Sequence, residues 1–151
     1  EPIQSGALEV VTGFLLGATF YDPTYPHFLN SLTDFHPGLG YWIKMHSDYE
    51  ISFIGDPVGP DYSIDLYAGW NLVGYWGNVE IALVDGLADL IATNNLQFAT
   101  SWDSSGTIMY DPTLPPFLHT FLTLVPQTGL WISVNEPTML SYPQEAFSNA
   151  N

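Results

Sequence analysis

The chain has 151 residues, 46% hydrophobic and 15% aromatic, enough for a packed core in one ordinary domain or two small ones. Its 16 acids face a single base, Lys44, for a formal net charge of −15. Such a surface repels polyanions, which excludes nucleic-acid binding and disfavours anionic lipid headgroups; cysteine is absent, which excludes disulfide and thiolate-metal frameworks.

No apolar run reaches the roughly 18 residues of a membrane-spanning helix. The start, Glu1-Pro2-Ile3, reads as a processing point or an edge cut from a longer chain. Residues 9–20 read as two short strands around a turn at Gly13. Residues 21–26 hold Pro23 and Pro26, which prevent a central strand and favour a turn-rich connector. A short apolar run over 28–35 leads to the turn His36-Pro37-Gly38-Leu39-Gly40. Strands are predicted at 41–45 and 49–54, and the Gly/Pro-rich stretch 55–61 reads as a seam. Beyond it come strands at 62–67 and 70–76. One helix follows over 79–92, where Ile81, Leu83, Val84, Leu87, Ala88, Leu90 and Ile91 keep helical spacing. Strands at 97–102, 107–110, 130–134 and 138–142 complete the chain, with a turn at 103–106 and a second connector from 110.

That second connector is a copy of the first. Tyr21-Asp22-Pro23-Thr24 returns as Tyr110-Asp111-Pro112-Thr113, 89 positions later. The same offset carries Phe28-Leu29 onto Phe117-Leu118, Gly40 onto Gly129 and Trp42 onto Trp131, with 11 identities in 23 positions from Tyr21 to Ile43. A repeat of this length reads as tandem small modules. The predicted fold is mainly β, two related β-sandwich or partly closed barrel modules with one short helix in the second. Residues 1–58 form a partial module without its opening strand and helix, 59–143 a complete one, and 144–151 a polar tail.

At Gly69-Trp70-Asn71-Leu72-Val73-Gly74 and Gly40-Tyr41-Trp42-Ile43 the chain resembles a repeat module of secreted bacterial and archaeal surface proteins. In that family a Gly-Trp-Asn-Leu strand opens the module and a Gly-Tyr-Trp-(Ile/Val) strand lies near its end. Between them come a helical segment and a Trp-Asp turn like Trp102-Asp103-Ser104-Ser105-Gly106. Residues 66–142 show the whole order and 8–54 only its later part; Leu130 stands where the family, like Tyr41, has tyrosine. The resemblance implies an extracellular accessory, adhesive or scaffold unit and carries over no catalytic residue.

The residues themselves offer little chemistry. His27, His36, His46 and His119 have no zinc-ligand spacing, and no nucleophile elbow, phosphate loop or dinucleotide fingerprint occurs. With one base the chain lacks the Arg/Lys clamps of anionic transition states. It therefore reads as non-enzymatic and free of cofactors, calcium excepted. Asp22 and Asp111 admit two readings: caps of their own turns, or calcium ligands together with Asp103. Trp42 and Trp131, with Trp70, Gly40 and Gly129, are expected as buried structural anchors. Trp76 and Trp102, outside the matched positions, are expected at the surface, available to a ligand or partner. A first module without its opening strand leaves an unpaired edge. Hence the leading expectation is an extracellular or cell-surface structural subunit. It would join copies of itself, or another surface-protein chain, by strand pairing into a layer, appendage or filament. The alternative is a carbohydrate-binding or adhesive module using exposed Trp and Tyr.

Overall fold

A computed structural model describes residues 6–51 and 55–147. The chain is mainly β, and among the described residues its sheets are open and antiparallel, with no closed barrel. In order the elements are β1 (Leu8–Phe14), β2 (Ala18–Tyr21), β3 (Tyr41–Met45), β4 (Ile64–Leu66), β5 (Gly69–Gly74), β6 (Ile81–Ala82), α1 (Leu83–Gly86), α2 (Ala88–Ala92), β7 (Leu96–Asp103), β8 (Gly106–Tyr110), β9 (Thr123–Leu124), β10 (Gly129–Val134) and β11 (Thr138–Leu140).

The core lies in the second half. Strands run in the order β5-β10-β7-β8. Along β10 the two-residue period of a strand turns Leu130, Ile132 and Val134 inward, all fully buried. They meet Ala99 of β7, Val73 of β5, and Leu83, Leu87 and Leu90 of the helical segment. Each of these Leu, Ile and Val side chains contributes about 1.5–3 kcal/mol on leaving water. The helical segment is shorter than its spacing predicts. Ile81 and Ala82 pair instead with Leu124 and Thr123, and Leu83 N–H donates to Leu122 O at 2.9 Å. A break at Leu87 (φ −111°, ψ 21°) then divides the rest into α1 and α2. Just before it, Gly86 has no Cβ and lets Leu124 lie against the backbone, an approach that helix-favouring residues would block.

The first half repeats this plan with three strands, in the order β2-β1-β3. Thr12 pairs with Trp42 as Thr100 pairs with Trp131, so β1 matches β7 at an offset of 88 while β3 matches β10 at 89. Both strand pairs carry the same bulge, at Leu8/Val10 and at the Leu96–Phe98 step. The one-residue difference lies in the hairpin: Asp103 pairs with Gly106 across two residues, Phe14 with Ala18 across three. The expected turn at Gly13 is therefore corrected. β1 runs through Gly13, where a Cβ would stand 3.1 Å from the Tyr41 ring, and the chain reverses at Leu15–Gly17. In this half only Ala7, Leu8 and Val11 are fully buried apolar side chains among the described residues.

The two sheets meet at one seam. Gly40 N–H donates to Leu72 O at 3.1 Å and Gly74 N–H to Gly38 O at 2.9 Å, with Leu39 bridging to Val73. Thus β5 takes β10 along one edge and, at its end, the chain just before β3 along the other. Gly40 is required there, since a Cβ would lie 2.6 Å from Val73 O. Away from the seam the Phe14 ring meets the Trp131 ring edge-on at 5.2 Å.

Two further expectations change. Residues 49–51 form no strand, and 52–54 lie outside the described residues. The segment expected as a polar tail packs down: Gln144–Ala146 is a 3-10 turn, Ala146 is fully buried, and its carbonyl accepts N–H bonds from Asn78 and Val79. Residues 148–151 lie outside the described residues.

Candidate functional site

The repeated connectors are built alike. In each, the aspartate Oδ1 accepts both the backbone N–H and the hydroxyl of the threonine two residues on: 2.8 and 2.6 Å for Asp22 and Thr24, 2.8 and 2.7 Å for Asp111 and Thr113. Asp103 does the same with Ser105, its N–H at 2.7 Å and its hydroxyl at 2.5 Å. These hydrogen bonds, the side-chain one foremost, hold all three carboxyls below the usual aspartate range. The geometry is that of turn capping. Among the described residues no three His, Asp or Glu side chains gather as a metal site, and Asp22, Asp103 and Asp111 are not brought together.

Sequence reasoning passed over the partners that clamp the connectors. Asn30 donates its amide to Asp22 O at 3.2 Å, and His119 donates from Nε2 to Asp111 O at 2.8 Å. Ser31 and Thr120 hydroxyls accept the N–H of Phe20 and Met109. Asn30 and His119, like Ser31 and Thr120, stand 89 positions apart, a signal of shared position without shared identity. Between turn and clamp, Pro26 and Pro115 lead into 3-10 turns, His27–Leu29 and Pro116–Leu118. These turns hold Phe28 and Phe117 in water at 75% and 83% exposure.

The tryptophans overturn their expected burial. Trp42 and Trp70 are each 47% exposed and Trp131 is half-buried, so none is a core anchor. They lie on the faces opposite the core: Trp131 stands between inward Leu130 and Ile132, and strand alternation sends it outward. Trp76 errs the other way. It is half-buried against the core, its ring edge-on to Tyr142 at 4.4 Å and Tyr62 at 5.4 Å, and its buried Nε1–H has no partner. Trp102 stands at the surface, 62% exposed. Gly129 also differs from its counterpart: a Cβ there would meet nothing nearer than Val73 O at 3.8 Å.

Four of the five tryptophans gather where the sheets face each other. Trp70 meets Phe98 at 5.9 Å and Trp131 at 6.3 Å, and Trp131 meets Phe14. Trp42 and Trp102 border a cleft of about 180 Å³ with Ser101 and Thr128. A neighbouring cleft of about 310 Å³ is bordered by Trp70, Phe14, Leu16 and Asp65. Leu72, 3% exposed, lines both.

Comparison with protein-family models, curated proteins and solved structures returns no match. No helix among the described residues is long and apolar enough to cross a membrane.

Proposed function

We propose that this chain is a non-enzymatic structural subunit, extracellular or at the cell surface, that joins further copies of itself by adding strands at the outer edge of β3. One comparison within the molecule supports this reading. β10 has β5 along its whole length, from Gly129↔Gly74 to Val134↔Gly69. Its counterpart β3 has β5 only at the seam, and beyond Gly40 no strand among the described residues lies on that edge. Trp42 and Ile43 beside it are exposed. A free edge joined by a neighbour's strand gives main-chain hydrogen bonds and alternating side-chain contacts. A head-to-tail contact of this kind propagates into a ring or filament. The charge of −15 opposes growth, and screening by salt or calcium relieves it.

Sedimentation velocity tests this at low ionic strength and at about 1 M salt, where the screening length is near 3 Å. Species larger than the monomer are expected to grow with salt. Ile43→Lys, which adds a charge beside the edge at an exposed position, is expected to return the protein to monomer with its circular dichroism unchanged. A monomer at every concentration and salt level sinks the proposal.

A further inference from the structure

We infer that the aromatic clefts between the two sheets bind a neutral glycan, with Trp42, Trp70 and Trp102 as stacking platforms. Three observations carry it. The first is exposure. These residues are 47%, 47% and 62% exposed although a core is available to them, and they line clefts rather than scattered surface. A tryptophan face takes the polarised C–H face of a pyranose ring as it takes other positive partners, and it loses little entropy in doing so.

The second is the polarity of the rim. Its residues offer both acceptors and donors, the donors being the Tyr41 and Tyr67 hydroxyls and the indole N–H groups. The Ser101 hydroxyl already gives its proton to Gly129 O at 2.7 Å and the Thr128 hydroxyl to Val125 O at 2.6 Å, which leaves both oxygens as acceptors. Asp65 adds a carboxylate. The matching ligand carries groups that donate and accept at once, as the hydroxyls of a polyol do. The chain's one Lys, Lys44, is paired with Glu9, so nothing here clamps a uronic acid or sulfated sugar, and the net charge of −15 repels one.

The third is extent. Two clefts share Leu72, and the ring contacts Phe98–Trp70–Trp131–Phe14 extend the aromatic surface beyond either. A single sugar fills one cleft; a chain of sugars spans both. The site draws on both halves of the protein, Phe14 and Trp42 from one sheet and Trp70, Trp102 and Trp131 from the other. Trp42 also borders the β3 edge, but association is read by sedimentation and glycan binding by retardation in the gel, so either can fail alone.

The test is native affinity electrophoresis of the full chain in gels containing hydroxyethyl cellulose, laminarin, soluble starch or galactomannan, with alginate as the anionic counterpart. Retardation by at least one neutral polymer is expected, and none by alginate. Trp102→Ala and Trp42→Ala, both at exposed positions, should weaken it roughly tenfold. Trp76→Phe, at a residue that lines neither cleft, should leave it unchanged. Circular dichroism of each variant checks the fold, and quenching of tryptophan emission by the matching oligosaccharide gives a second readout in wild type. No retardation by any neutral polymer overturns the inference, as does retardation by alginate alone or retardation that survives both Ala substitutions.

Discussion

At the scale of single residues, three aspartates make the turns sensitive to acid. Asp22, Asp103 and Asp111 each hold a backbone N–H and a hydroxyl two residues on, and their carboxyls sit below the ordinary range. The folded value lies under the unfolded one, near 3.9. The stabilisation is therefore complete above that pH and is lost as pH falls through the folded value. Melting temperature should decline as solutions are acidified below about pH 4. In the triple variant Asp22→Asn, Asp103→Asn, Asp111→Asn, which keeps the accepting oxygen but does not titrate, the decline should be shallower. An equal acid response in both proteins would remove these carboxyls from the account. The Asp-Pro-Thr connectors were legible because capping is local and chemical. The faces of the tryptophans were not. Leu130-Trp131-Ile132 is apolar at every position, and alternation names the core face only where one face is polar.

Among elements, the two repeated glycines have parted company. Gly40 carries the seam between sheets, with Val73 O where a Cβ would go, whereas Gly129 has room. Gly40→Ala should cost about 1–3 kcal/mol, the usual range for overpacking, and Gly129→Ala should stay within about 0.5 kcal/mol. Urea titration of both variants checks the contrast, and equal losses would undo it. In sequence the pair looked interchangeable, because an offset of 89 joins them. Their difference arises from β5, which runs on the other side of each and comes from outside the repeated stretch. The helix was misjudged for a related reason. Its spacing is sound, but β9 claims Ile81 and Ala82, and Leu124 presses on Gly86. Tertiary contacts of this kind leave no local trace.

For the molecule as a whole, stability is distributed unevenly. The contiguous core belongs to the second half, while the first half buries Ala7, Leu8 and Val11 and leans on the seam. Hydrogen exchange of the intact protein should therefore show β5, β7 and β10 protected at the global level and β1, β2 and β3 opening at lower free energy. Uniform protection across both sheets would show that the first sheet has a support other than its own packing. The mainly β class was readable from alternation and turn residues, since those depend on neighbours in sequence. The sharing of β5 between halves was not, because it depends on where a whole strand comes to rest.

Lys44 has a consequence of its own. It is the chain's one basic side chain, it lies inside β3, and it is ion-paired with Glu9 of β1. Enzymes that cut after lysine or arginine thus meet a single scissile bond, Lys44–Met45, and that bond is locked in a ladder where Lys44 lies opposite Val10. A protease must wait for the strand to lift away before its cleft can close on it. Digestion of this protein is then a one-event clock: the rate at which the full-length band splits in two reports the open population of the first sheet when reclosing is fast and its opening rate when cleavage is faster, and a neighbour's strand laid along β3 would stop it.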